Sequence, residues 1–341
     1  MVFIAEERGK RFMKDGIHTR TNNFSASVSH RLFSGAVFIG MAFFLLLGTA
    51  SSVPAFYQPE YQNRGITNFL DACVPKSGFM YQFFLNNFKS VDMRVRSHNA
   101  PGKFKLSVNI TLQSLAYRSE KKFLGGYLGG ELMIPYVNGY VTTDAGRSSD
   151  HGLGDIVAGG FIQSDFCHLK LGDYSFPFYW RVWTGLVLPT GDYDHDEAFN
   201  AGSNLTTFHS YFSSTIFLTE KWCASTRMNY NFHTKNDAYG PNRDDLKPGQ
   251  LFTAIISTCY EVLPGVRLGT HGVIWRQTTD DKMNGHNLRG RETALSFGPG
   301  IVLSGNINGA QANLLLHGLF DTHVRNRPEG NLFQARLVVF F

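Results

Sequence analysis

Residues 331–341 read NLFQARLVVFF. Every second residue back from the end is apolar: Phe341, Val339, Leu337, Ala335 and Phe333. The other parity carries Gln334 and Arg336. A period of two is that of a strand, whose successive side chains point to opposite faces. A terminal strand with one wholly apolar face is an aggregation hazard in water. It makes sense if that face meets lipid and both edges are paired. Barrel-assembly machinery is expected to read such a strand, so Phe333, Leu337, Val339 and Phe341 are assigned as an assembly signal. Arg336 is then turned toward a lumen.

The rest of the composition agrees with a barrel. Of 341 residues, 30 are Phe, 14 Tyr and 35 Gly, and only 17% are charged. The mean hydropathy of −0.16 is too polar for a helical membrane protein, whose spans are apolar throughout. A spanning barrel hides its apolar half by alternation. The net charge of +5 is inflated by the N-terminus. There Arg8, Lys10, Arg11, Lys14, Arg20 and Arg31 precede LFSGAVFIGMAFFLLLGTA. The charge therefore argues for no nucleic-acid partner.

That order of basic, apolar and small residues, ending at Val53-Pro54-Ala55, predicts a signal peptide over residues 1–55. Met13 is an alternative start, and an uncleaved anchor helix is the rival reading. Export leads to the outer membrane of a Gram-negative cell, with its lipid as a partner. Cys73, Cys167, Cys223 and Cys259 have no CxxC or CxxH spacing, so no zinc site is expected. Pairing among them and buried free thiols both stay open.

From about residue 78 the chain alternates strand after strand, over 78–89, 104–118, 124–143, 152–166, 176–189, 204–219, 221–235, 250–263, 265–278, 290–304, 309–324 and 330–341. The twelve segments predict an all-β fold, a transmembrane antiparallel up-and-down β-barrel over 78–341. Long polar connections (VDMRVRSHNAPGK, DAGRSSD, TGDYDHDEAFNAGSN, NDAYGPNRDDLKPG, DDKMNGHNLR, RNRPE) alternate strictly with short ones (SEKK, LGDYS, TEK, LPG, GNIN). Outer-membrane barrels do this, with long loops outside and tight turns in the periplasm. Residues 56–77 have no clear period. They either fold into the lumen as a plug or stay periplasmic.

Alternation also assigns faces. On 104–118, Phe104, Leu106, Val108, Ile110 and Leu112 are expected toward lipid, with Lys105, Ser107, Asn109, Thr111 and Gln113 inside. On 221–235, Trp222, Ala224, Met228, Tyr230 and Phe232 face out, and Ser225, Arg227, Asn229, Asn231 and His233 face in. On 309–324, His317 and Asp321 face in. The predicted inward charges also include Glu131, Asp155, Asp165, Arg181, Glu261, Arg267 and Glu292. They make either a solute-selecting eyelet or a set of ion pairs that fills the bore. Phe84, Phe88, Tyr117, Tyr127, Phe161, Tyr179, Trp183 and Trp275 share the inward parity, and His271 joins the candidate path. A plain aqueous pore needs no such rings, which suit the passage of a small hydrophobic or aromatic solute. Girdle or packing roles are the alternative.

Two chemistries are disfavoured. GDYDHDEAFN carries Asp192, Asp194 and Asp196, but Glu197 stands where a calcium loop has Gly and Ser203 where it has Glu. No His is followed two residues later by Ser, as an outer-membrane lipid hydrolase would need, and no GxSxG occurs. No catalytic residue, metal or cofactor is expected.

The stretches GLGDIVAGGFIQSDF, LPTGDYDHDEAFNAGSN, LKPGQLFTAIISTCYEVLPGVRLGTHG, TTDDKMNG and RPEGNLFQ resemble exported bacterial proteins labelled as meta-pathway phenol-degradation proteins or transporters. The resemblance runs from about Gly78 to the end. It implies passage of aromatic or other hydrophobic small molecules across the outer membrane, and supplies no catalytic residues. A structural or adhesive barrel without transport is the alternative.

Overall fold

The computed structural model describes residues 67–74 and 77–341. The predicted signal peptide and residues 56–66 lie outside these. Twelve strands form the wall: β1 (Gly78–Val95), β2 (Phe104–Phe123), β3 (Gly126–Thr143), β4 (Val157–Gln163), β5 (Tyr174–Val187), β6 (Thr207–Phe217), β7 (Trp222–His233), β8 (Leu251–Leu263), β9 (Val266–Gln277), β10 (Thr293–Ile307), β11 (Ala310–Arg325) and β12 (Pro328–Phe340). Each pairs antiparallel with its chain neighbours. The last pairs with the first, from Met80 opposite Phe340 to Met93 opposite Pro328. Closure leaves no open edge, the condition for crossing lipid with strands. β4 is the irregular member: Gly146–Leu153 precedes it against β3, and Cys167–Leu171 follows it against β5.

The turn end is tight. Leu124-Gly125, Gly265 and Asn308-Gly309 adopt positive φ there, as two-residue hairpins require. The loop end differs from expectation. Residues 188–206, 234–250 and 278–292 are long, and the last two together form a small four-stranded sheet. DAGRSSD and RNRPE are instead mostly strand, turning only at 144–145 and 326–327. The reason is length. The 20 residues of β2 reach about 65 Å, whereas roughly 9–11 residues cross a membrane. Past the lipid both faces meet water, alternation disappears, and a paired strand reads as a loop.

The faces of β7, β11 and β12 are as predicted. On β12, Leu332, Gln334, Arg336, Val338 and Phe340 are buried, while Phe333 and Phe341 are over half exposed. On β2 the assignment is reversed. Leu106, Val108, Ile110 and Leu112 are at most 4% exposed and point inward. Register dictates this: Phe84 lies opposite Leu112 and Phe88 opposite Val108, and directly opposed residues share a face. Two of the polar residues thrown outward are met by partners on β1. Asn87 donates to Asn109 at 2.6 Å, and the Tyr81 hydroxyl to Gln113 at 3.2 Å. Lys105 is exposed, and so is Tyr117, whose ring lies tilted against Phe79 on the outer wall.

The interior is packed in two apolar layers. Toward the loop end, Phe88, Leu106, Val108, Val137, Leu319 and Leu332 meet Phe199 and Ala201, which dip in from the 188–206 loop. Asp155, predicted inward, holds that loop down. It sits in the break before β4 and accepts from the amides of Gly191 and Ser203, each at 3.0 Å. Toward the turn end, Met80, Phe161, Trp183, Tyr211, Val302 and Leu315 pack around Phe69 and Val74.

Candidate functional site

Residues 67–74 lie inside the barrel, reached from the turn end where β1 begins. The wall grips their backbone with side chains. Ser257 donates to the Asn68 carbonyl at 3.0 Å, Arg118 to that of Val74 at 2.8 Å, Gln163 to that of Ala72, and Thr215 to that of Asp71. An irregular segment within a membrane barrel needs such partners, because a buried peptide group without one is costly. The free space left beside it is about 80 Å3, room for a few waters.

Two side chains anchor the segment. Asp71 meets Arg227 of β7 in a two-pronged ion pair, Oδ2 to Nε 2.6 Å and Oδ1 to Nη2 2.9 Å. The side chains are 4% and 11% exposed. Burial opposes the carboxylate charge, but Arg227, with Arg336 and Arg181 farther off, holds the Asp71 carboxyl below its usual value of 3.8. Phe69 is the second anchor. Its ring meets His271 edge-on at 5.5 Å and fills a hollow left by Gly269 and Gly300, where a Cβ would run into the ring. Here the missing side chain is the feature that makes the seat.

Around Asp71 the wall carries a ring of charge. The Arg227 guanidinium lies 3.7 Å over Tyr211, and Tyr211 is parallel to Trp183 with centroids 5.5 Å apart. Arg181 donates to Gln163 at 2.6 Å and covers Phe161 at 4.4 Å. Arg336 donates to Gln82. Gln82 donates to Glu131 at 2.9 Å, and Ser114 to Glu131 at 2.7 Å. Three arginines thus share one layer with two carboxylates, one of which belongs to the inserted segment.

The other candidates spread along the bore. Asn229 bonds Thr253 at 2.7 Å, His209 bonds Asn231, and Thr207 bonds His233 at 2.8 Å. His317 meets His271 edge-on at 4.6 Å and bonds Gln334. Trp275 donates to Glu292 at 3.1 Å near the loop end, and Asp321 accepts from Ser296 at 2.6 Å. Arg267 pairs with Glu261. Tyr179, half-buried, meets Phe217 edge-on, and Tyr127 bonds the exposed Asp165 at the turn end. Tyr117, like Lys105, Asn109 and Gln113 of the same strand, is placed outside the lumen. Sequence reasoning missed Phe69, Asp71 and Tyr211. The first two lie two residues apart in a segment without period, where no pattern in the sequence marks them.

Cys223 and Cys259 are directly opposite on β7 and β8, with sulfurs 2.8 Å apart. All four cysteines are thiols. Asp194, His195 and Asp196 cluster at an exposed loop, with the Asp196 amide donating to Asp194 at 2.9 Å.

The barrel superposes on the crystal structure of an outer membrane channel from Pseudomonas putida F1. The TM-score is 0.67 at 18% identity, over 83% of this chain and 99% of that one. This likeness establishes the fold. The transport unit of the autotransporter AIDA-I from Escherichia coli is a more distant likeness, with TM-score 0.47 and 9% identity, over 82% and 95% of the two chains. No curated protein matches the sequence. Residues 93–337 match the family described as "Putative MetA-pathway of phenol degradation". With that match spanning most of its length, the chain belongs to this family.

Proposed function

We propose that the protein is an outer-membrane conduit for small hydrophobic or aromatic molecules, closed at rest by residues 67–74. The observation that carries it is the form of the closure. The segment is seated by one ion pair, one ring in a glycine hollow and hydrogen bonds to its backbone, so it can leave without dismantling the wall. Beside it, Phe84, Tyr211, Val302 and Leu315 line the space, and Trp183 is stacked against Tyr211, an apolar wall that suits apolar bodies better than sugars. Residues 1–55 act as the export signal, and Phe341 with Phe333, Leu337 and Val339 guides assembly. Family membership supports a link to aromatic catabolism.

The test is solute flux into liposomes holding the full-length barrel. Trp183→Ala should alter entry of an aromatic solute at least several-fold more than entry of a sugar of similar size. Equal responses would favour a plain pore. No flux of either solute would favour the second reading, a non-transporting barrel, for which the apolar packing of the loop-end layer speaks.

A further inference from the structure

We infer that the preferred solutes of this lumen are apolar monocarboxylates, aromatic and phenylalkyl acids above all, and that Arg227 receives their carboxylate. The inference rests on the conduit reading and narrows it. The inserted segment carries a phenyl ring and a carboxylate two residues apart, on Phe69 and Asp71. The wall provides a built seat for each. Arg227 engages both oxygens of Asp71 at 2.6 and 2.9 Å, the paired-bond geometry that any free carboxylate can adopt. One face of its guanidinium is covered by Tyr211 at 3.7 Å, which leaves the donor edge directed at the acid. The hollow at Gly269 and Gly300, beside His271, accepts a ring without displacing any side chain of the wall. A solute with both groups would take up the contacts that the segment gives up.

Charge points the same way. The space around the segment is lined by Arg181, Arg227 and Arg336, with Glu131 and Asp71 as its carboxylates. Arg181 and Arg336 are hydrogen-bonded to the neutral amides of Gln163 and Gln82. When Asp71 departs, three guanidiniums face the single carboxylate of Glu131. A neutral solute would leave Arg227 buried and unpaired, which is expensive, and sites built to bond a polar group reject analogues that lack it. A cation would be repelled outright. The segment therefore acts as a tethered stand-in that an acid of the right shape displaces.

The experiment is calorimetric titration of the full-length barrel in detergent at pH 7.5 with 3-phenylpropanoate and with 3-phenylpropanamide, which keeps the ring and loses the charge. Asp71→Asn should bind the acid at least tenfold more tightly than the amide. Wild type should bind the acid more weakly than this variant, because Asp71 competes. Adding Arg227→Gln should erase the preference. Equal affinities for acid and amide in Asp71→Asn, or a preference that survives loss of Arg227, would overturn the inference. If Asp71→Asn does not give a heat-modifiable barrel, wild type decides: the acid must still outbind the amide, and equality refutes the assignment. Flux measured in liposomes keeps the two readings apart. Flux without acid preference sinks this inference alone, while acid binding without any flux sinks the conduit.

Discussion

Replacing Asp71 by Asn should unlatch the lumen. The Asp71–Arg227 pair is almost fully buried and doubly bonded. Removing one charge from such a pair costs about 3–5 kcal/mol. Arg227 keeps its contact with Tyr211, and the amide keeps one acceptor, so the lower figure of about 3 kcal/mol applies. The loss falls on the seated segment, because the wall strands contribute only Arg227 to the pair. At roughly 1.4 kcal/mol per decade, the ratio of seated to displaced segment drops about 100-fold. Planar-bilayer recordings read this directly as a rise of about two decades in the open fraction while openings remain rare. Arg227→Gln should do the same, and the double variant should add little to either single one, as partners in one contact do. An open fraction within threefold of wild type in Asp71→Asn would refute the latch.

The pH dependence follows from the same carboxylate. Its value is depressed in the seated state, so the latch is intact above the ordinary carboxylate value of 3.8 and is lost as pH falls below it. Open fraction should be flat from pH 8 to 5 and rise only in strong acid, and a rise already at pH 6 would contradict this. Deleting Phe341 removes one interfacial side chain worth about 1.5–3 kcal/mol, yet should sharply reduce heat-modifiable protein in outer-membrane fractions. Leu337→Lys should be worse, since a charge facing lipid costs about 2–4 kcal/mol near the midplane; wild-type levels in either case would deny the assembly signal. Mild oxidation of the purified barrel should join Cys223 to Cys259 in one cross-linked peptide, and a cross-link through Cys167 would contradict the register of β7 with β8.

Alternation made the wall legible, because lipid enforces period two on every strand that crosses it. Arg227, Asn229 and Asn231 could be turned inward from β7 alone, where their outward neighbours are Met228 and Tyr230. β2 misled for a physical reason. This lumen is itself apolar in its loop-end layer, so Leu106 to Leu112 face in, and hydrophobicity ceased to mark the lipid side. Phe84 and Phe88, already turned inward, held the correction, but only strand register ties them to Leu112 and Val108. The segment around Asp71 was illegible because it is neither strand nor helix. Its place is set by Arg227, Ser257 and Gly300, all far away in sequence. The same holds for the seat of Phe69, since a glycine in a strand reads as a weak point until the ring that fills it is seen.

The most direct test of the conduit is uptake by whole cells. A strain lacking this gene should be supplied with a labelled phenylalkyl acid at low concentration and compared with the same strain carrying the wild-type or the Asp71→Asn gene. The account predicts slow uptake without the gene, restoration by wild type, and faster entry still with Asp71→Asn. Identical uptake in all three strains, with the barrel present in the outer membrane of the two complemented ones, would contradict it.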